Sequence, residues 1–575
     1  MDPGNTAPSY TIDLADFELV APPAAQPANS LSVTDFGATP DDSSDDAGAF
    51  DAAVAAARSQ GAEVWIPAGM FLLGHHITVD QVTIRGAGAW HSELRGSRAG
   101  IFGKGEPSSC GVGGTPGTSS AVELHDFAII GEVTQRVDCD QANGIGGALG
   151  GGSVVSGLWI QHTKVGLWLD GPFDGLTVTG NRILDQTADG LNLHQGISNV
   201  TVTNNFLRNT GDDGLAMWSE HDADHDNTFS FNTVIAPILA NGIAVYGGHD
   251  IRVTDNVVAE TQDQGGGIHI ANRFAAVPLS GTTTVARNTT IRAGVLDSNW
   301  QFGVGALWFD GRDSALTGTI LVRDTDLMDS NYEAIQFIDN PVADIHFDNI
   351  RIQGAGTFAL QLQAPGTATF SNVVATAIGH AGIYNCQGGG AFTIVDQGGN
   401  SGWTTTYCGP WPPPVHDGDN GGGGDPDAGP GGDAGDDPGN LALDRPTTAS
   451  SALSGFPPAS AVDGNPDTYW ESTNNVFPQS LTADLGSVQT VARIVLKVPP
   501  INWPPRTQTL SIQGSTDAST FVVLDGPLGV TFDPTTGNTA TLVLDPSPQR
   551  YIRVEIAANT EWPAGQLSEL EVRSQ

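Results

Sequence analysis

The sequence predicts an all-β protein, a right-handed parallel β-helix followed by a β-sandwich, and three observations predict it. A phrase recurs about every 24 residues, and within each copy apolar residues alternate at period two. A run of Gly, Asp and Pro at residues 411–440 then divides the chain ahead of a segment of short strands bounded by turn residues.

Residues 1–30 read as an N-terminal extension. From residue 31, "LSVTDFGATPDDSSDDAGAFDAAVAAARSQGAEVWIPAGMFLL" predicts a helix over about residues 45–60 and then a strand. Such a helix covers the open end of a solenoid, whose first rung otherwise exposes unpaired backbone. Asp41, Asp42, Asp45 and Asp46 fit the capping of that helix better than a metal site.

The β-helix is expected over residues 31–409. "VSGLWIQHTKVGLWLD", "VTGNRILDQTADGLNLH", "VTNNFLRNTGDDGLAMW", "FSFNTVIAPILANGIAVY" and "VTDNVVAETQDQGGGIHI" align with Gly157, Asn181, Asn205, Asn232 and Asn256 in register, at steps of 24, 24, 27 and 24 residues. The asparagines predict an internal ladder of side-chain amides bonded rung to rung. The strand phrases "GLWL", "GLNL", "GLAM", "GIAV" and "GIHI" put leucine, methionine, isoleucine and valine inside and Asn192, Ala216, Ala244 and His269 in an outer column. Trp168 and Trp308 fall in the same column. Residues 410–440 cannot bury a core and predict a linker, and residues 441–575 hold the strands of the β-sandwich.

Acids outnumber bases by 64 to 23, a net charge of -41 that repels nucleic acid, anionic membranes and polyanionic sugars and leaves neutral partners open. No apolar run is long enough to span a membrane, and the first residues do not form a signal peptide. Cys110 with Cys139 and Cys386 with Cys408 form two local pairs suited to disulfides, so an extracellular location is expected, with the export signal absent from this sequence. The chain is expected to act as a monomer.

Asp189 and Asp213 lie one rung apart, each just before the glycine of its strand, and Asp212 adjoins the second. Strict alternation would turn Asp189 and Asp213 into the core, so the alternation is expected to break at the turn, leaving these two acids one above the other with backbones about 4.8 Å apart and Asp212 projecting beside them. Mutual repulsion raises the proton affinity of at least one of them, and a protonated acid beside an ionised base is the equipment of glycoside hydrolysis. A turn of capping aspartates or a calcium site is the plainer alternative. "SEHDADHDN", residues 219–227, reads as a solvated acidic loop beside the cleft.

"DG" in one rung and "GDDGLAMWSE" in the next resemble the glycoside hydrolase family 87 motif, and "TDFGA" through "GAGAWHSELRG" is similar to the same pectate-lyase-like superfamily, the resemblance covering residues 31–409. That family comprises endo-acting, inverting α-1,3-glucanases (mutanases) and mycodextranases. The resemblance implies Asp212 as general acid, Asp189 and Asp213 as holders of the water, no catalytic cofactor, and a neutral α-glucan such as α-1,3-glucan as partner. A mycodextranase acting on mixed α-1,3/1,4-glucan, a non-catalytic glycan-binding adhesin and a lyase remain as rivals. Asn192, His269, Trp168, Trp308 and Trp218 are candidate sugar contacts, the tryptophans because sugar rings stack on aromatic faces.

In the last segment, "NLALDRPTTASS", "AVDGNPDTYWES", "LTADLGSVQTVARIVL" and "YIRVEI…LSELEV" resemble the discoidin, or factor 5/8 type C, family, a jelly roll that includes carbohydrate-binding modules. The resemblance implies a structural calcium at Asp463, Thr468 and Glu569. Trp503 and Trp562 lie on predicted loops that could stack on glucan.

Overall fold

Each Gly-Leu-x-Leu phrase folds as a short strand that pairs in parallel with its counterparts one turn before and after. The computed structural model describes residues 20–105, 117–297, 302–387, 391–415, 440–443, 445–453, 456–465, 468–499, 503–534 and 538–573. One parallel sheet, of 13 strands among the described residues, runs from Ile77–Thr78 through Leu167–Asp170, Leu191–His194, Leu215–Trp218, Ile243–Tyr246, Ile268–Ala271 and Leu307–Asp310 to Thr406–Tyr407. Leu191 pairs with Leu215, Leu215 with Ile243 and Ile243 with Ile268, so the leucine and isoleucine columns stack without slip and are fully buried.

Two further ladders close the coil. Phe173–Thr179, Ile197–Thr203, Thr228–Ser230, Arg252–Thr254 and Thr282–Ala286 make one face, and Arg182–Leu184, Phe206–Arg208, Thr233–Ile235, Val257–Ala259 and Thr289–Ile291 the next. They merge in the long strand Thr319–Ser330, which pairs with both. The fold is a parallel β-helix.

At the turn between those two faces the expected asparagine ladder is present. Asn181 Nδ2 donates to Asn205 Oδ1 (2.8 Å), Asn205 to Asn232 (3.0 Å), Asn232 to Asn256 (3.1 Å) and Asn256 to Asn288 (3.0 Å). Each Oδ1 also accepts the backbone N–H of the asparagine one rung earlier, and each Nδ2 donates to a carbonyl such as Val202 O. The buried amides are thereby satisfied in a place where an unpaired one would cost about 1–3 kcal/mol.

The helix α1, Ala47–Gln60, lays Ala47, Phe50, Ala53, Val54 and Ala57 on the first rung. Asp45 and Asp46 hold its start: Asp45 Oδ1 accepts from Ala47 N and Gly74 N, and Asp46 Oδ1 from Thr39 N. At the other end the chain stays on the solenoid as far as Val415, whose N–H donates to Gly356 O, and Trp411 packs on Phe358 and Tyr384. Cys386 and Cys408 are bonded. Cys139 is also in a disulfide, while Cys110 lies outside the described residues, as does most of the Gly/Asp/Pro linker.

Contacts divide the chain into two units at residue 420. In the second, Thr447–Ala449, Gln479–Lys497, Thr539–Asn559, Arg506–Ser515 and Val522–Phe532 form an antiparallel sheet, and Glu569–Arg573 pairs onto Gln479–Lys497. Trp470–Glu471 and Gln566–Leu567 make a separate pair, and Trp470, Leu481, Ile494, Phe532 and Ile552 fill the core. Among the described residues no helix is long and apolar enough to cross a membrane.

Replacing Asn232 by Ala breaks the ladder on both sides and leaves amides of its neighbours unpaired. Chemical denaturation should show the β-helix destabilised by about 2–4 kcal/mol, whereas Gln60→Ala at the exposed end of α1 should change it by less than about 0.5 kcal/mol.

Candidate active site

Asp189 and Asp213 sit at the corner where the chain enters its strand, and the glycine after each explains their direction. A Cβ at Gly190 would lie 2.5 Å from Leu207 Cδ2, and one at Gly214 would lie 2.4 Å from Val234 Cγ1, so both glycines face the core. Leu191 and Leu215 follow and are fully buried. Two inward positions in succession break the alternation, and the aspartate before them projects outward. One carboxylate oxygen from each of Asp189, Asp212 and Asp213 lies within 4.8 Å of the others.

The three differ in their surroundings. Asp213 is buried; its Oδ1 accepts from Asn241 N (2.9 Å) and Nδ2 (2.8 Å), and its Oδ2 from the Tyr246 hydroxyl (2.9 Å). Asp189 is buried and accepts a long bond from Asn192 Nδ2 (3.3 Å). Asp212 is the outward member, its side chain 23% exposed: Oδ2 accepts from Arg136 Nη1 at 2.5 Å and Oδ1 from the N–H of Asp213 at 3.1 Å.

Burial, and then the charges of Asp212 and Asp213, hold the Asp189 carboxyl well above the usual carboxylate range. Burial and the charge of Asp212 push Asp213 up to about 7, against the bonds from Asn241 and Tyr246. The Tyr246 phenol is raised by burial and by Asp213. Ala216 and Ala244, on the outward face of their strands, leave the room over which Tyr246 folds to reach Asp213. Burial thus favours the protonated form of the two inner carboxyls, with an ion-paired carboxylate at the mouth of the cluster.

Residues 44–403 match the family model described as the alpha-1,3-glucanase catalytic domain D2, and residues 446–570 match that of the F5/8 type C domain. The catalytic unit of a thermostable α-1,3-glucanase of glycoside hydrolase family 87 from Streptomyces thermodiastaticus strain HF3-3 is 47% identical over 69% of this chain and 74% of that one, with a TM-score of 0.65. The chain belongs to glycoside hydrolase family 87. It is a glycoside hydrolase of the α-1,3-glucanase type, followed by an F5/8 type C domain. The Agl-KA catalytic domain is 29% identical over 66% of this chain and 70% of its own, with a TM-score of 0.57. A family 87 α-1,3-glucanase catalytic domain in complex with nigerose shares the fold at 23% identity, covering 67% of this chain and 71% of its own, with a TM-score of 0.56. A comparison with curated proteins gives no match.

On the glucanase surface the outer column forms in the expected register, Trp168 beside Asn192, Ala216 beside Ala244, and His269 beside Trp308. Its members do not share one fate. Trp168 and Trp218 are half-buried on the strands that follow the trio, their ring centroids 5.3 and 4.8 Å from that of His194. Asn192 touches Asp189. His269 and Trp308 do not stand free as expected: they stack on each other at 3.9 Å, His269 Nε2 pairs with Asp310 (3.1 Å), and both are buried. The acidic loop also differs from expectation, since Asp224 turns inward and accepts from Ile197 N (2.8 Å).

Several residues at the site escaped sequence reading. Asn241 occupies the same pre-glycine position as Asp189 and Asp213, a signal present in "ANG". Tyr246 ends its strand one rung on from Trp218, with which it pairs. Beside them His194 bridges Asp170 (2.8 Å) and Glu220 (3.0 Å); burial alone would lower its imidazole, but these two carboxylates raise it. Arg136 and Lys164 come from a non-repeating loop and from a turn, where no pattern marks them.

In the F5/8 type C domain, Thr468 Oγ1 donates to Asp463 Oδ2 (2.7 Å), and Glu569 is pushed up to about 8 by burial and by Asp463. Glu569 Oε1 is buried without a hydrogen-bond partner. Two carboxylates, one of them with an orphaned buried oxygen, suit a hard cation such as calcium. Trp562 is 46% exposed with Nε1 bonded to Glu471, and Trp503 is half-buried under the Arg506 guanidinium at 4.0 Å.

A carboxyl whose folded-state proton affinity is raised lowers stability as pH climbs from its unfolded value, near 4, to its folded one. Asp189→Asn should therefore raise the melting temperature relative to wild type at pH 8 and leave it nearly unchanged at pH 4. Thermal melts at the two pH values check this.

Proposed function

We propose that the protein is a secreted, endo-acting, inverting α-1,3-glucanase whose acid/base groups are Asp189, Asp212 and Asp213. The observation that carries this reading is the meeting of the three carboxylates at one outward-facing corner. Asp212, the exposed member, is placed to protonate the leaving glycosidic oxygen. Asp189 and Asp213 flank the position from which a water would attack, and one of them takes its proton. The sheet runs past the site in both directions, which suits a chain bound at an internal bond. The Cys386–Cys408 disulfide supports an oxidising compartment. Solved family members are described in complex with nigerose and with tetrasaccharides, which supports an α-1,3-linked glucose chain as substrate.

The oxygens within 4.8 Å of one another favour a second reading, retention, because inverting pairs are usually about 6.5–9.5 Å apart and retaining pairs about 5–5.5 Å. A third carboxylate changes that argument, since two of the three can share one water. The anomeric form of the first-released sugar decides: inversion gives the β-anomer by proton NMR, retention the α-anomer. In the same assay α-1,3-glucan should be cut, with dextran and polygalacturonate left intact, and nigeran hydrolysis would mark mycodextranase action instead. Each of Asp189→Asn, Asp212→Asn and Asp213→Asn should lower kcat by about 10²–10⁴-fold. Undiminished sugar release from all three would end the proposal.

The F5/8 type C domain, in the same proposal, holds a structural calcium at Asp463, Thr468 and Glu569 and tethers the enzyme to insoluble glucan through Trp562. Trp562→Ala should weaken retention on insoluble α-1,3-glucan and leave hydrolysis of soluble oligosaccharide unchanged. Chelation should lower the unfolding temperature of this domain and spare the β-helix.

A further inference from the structure

After the strand Ile268–Ala271 the chain takes a conformation that its residues do not favour. Phe274 (φ +58°) and Ala275 (φ +56°) stand in succession in the left-handed region, and no other two adjacent non-glycine residues do so among the described residues. A bulky side chain there is a rare outlier. Such strain persists only where the surroundings over-determine it, and it gathers at ligand contacts.

Here the surroundings are explicit. Asp313 Oδ2 accepts the N–H of Ala275 (3.1 Å) and its Oδ1 accepts from Arg273 Nη1 (3.0 Å), which ties both sides of Phe274 to one carboxylate. Trp218 Nε1 donates to the Phe274 carbonyl (3.0 Å). Ala276 then bridges to Glu220, and the Val277 N–H donates to Ser219 O (2.9 Å), so the turn is fastened to the chain that follows Leu215–Trp218.

None of this buries the ring. Phe274 is 47% exposed, although the Tyr246 ring meets it edge to face at 5.2 Å and the Arg273 guanidinium lies 4.6 Å from its centroid. A lone exposed phenylalanine is ordinary. This one is fixed one ring away from the acid cluster, because the hydroxyl of the same Tyr246 donates to Asp213 Oδ2 (2.9 Å). A flat apolar surface of set orientation suits the C–H face of an uncharged sugar ring, and a net charge of -41 favours an uncharged ligand.

We propose that Phe274 is a substrate-contacting residue, whose ring carries the glucosyl unit next to the reacting bond on the side of Asp213 and so sets which bond of a longer α-1,3-glucan lies at the acids. This rests on the α-1,3-glucanase reading above. The strained turn holds the platform in place before the chain arrives, which lowers the ordering cost of binding.

The test digests an α-1,3-linked hexasaccharide, labelled at its reducing end, with wild type, Phe274→Ala, Phe274→Leu and Phe274→Tyr, and compares the ratio of labelled products. That ratio reports where the chain binds relative to the acids and does not depend on how much enzyme is folded. Phe274→Ala and Phe274→Leu should each change the ratio of the two main products by about 3–10-fold, the size expected for one aromatic contact, while Phe274→Tyr keeps the wild-type ratio. An unchanged ratio in Phe274→Ala or, should that variant not fold, in Phe274→Leu overturns the proposal even if total turnover falls. A Phe274→Tyr ratio displaced as far as that of Phe274→Ala overturns it too, since the platform survives that substitution. Wild type that leaves the hexasaccharide intact removes the α-1,3-glucanase reading itself, and this proposal with it.

Discussion

The whole arrangement depends on register between parallel strands. A rung of fixed length returns the chain to the same place about 4.8 Å further along, so residues 24 apart become neighbours and an acid repeated at that interval becomes a pair. The asparagine ladder from Asn181 to Asn288 secures that register, because each amide has partners only if the next rung is aligned. It also absorbs irregular spacing: the three extra residues between Asn205 and Asn232, and the eight between Asn256 and Asn288, are accommodated away from the turn. The core columns then stack leucine on leucine without a slip.

Such stacking brings like charges together, and the surrounding residues manage the cost by uneven treatment of the three carboxylates. Burial raises the proton affinity of Asp189 and Asp213; Asp212 reaches solvent and pairs with Arg136. Asn241 and Tyr246 fix Asp213 with three hydrogen bonds, whereas Asp189 has one long bond. This unevenness divides labour among side chains of one chemical kind. Small residues on the outer face of the same sheet matter as much as the charged ones, since Ala216 and Ala244 admit Tyr246 where a larger side chain would fill the space.

The repeated features were legible and the singular ones were not. The solenoid, its asparagine ladder and the stacked acids follow from residues recurring at fixed intervals, the capping helix from one stretch before the repeats, and each is present in the structure. The break in alternation that frees Asp189 was legible only as a need, and Gly190 and Gly214 meet it by crowding against Leu207 and Val234. His269 and Trp308 were misjudged because period-two alternation gives the face a side chain leaves by, not what covers it. Here the two rings cover each other, and Asp310 takes the imidazole. Arg136 lies 76 residues from Asp212 in a loop with no repeat, so nothing short of three dimensions joins them.

The central claim is that this cluster holds a proton near neutral pH, and infrared titration of protein carrying isotope-labelled aspartate carboxyls tests it most directly. The difference between wild type and Asp213→Asn should contain a protonated-carboxyl band that persists to about pH 7. A difference spectrum in which that band is already gone by about pH 5, as for ordinary exposed aspartates, would contradict the account.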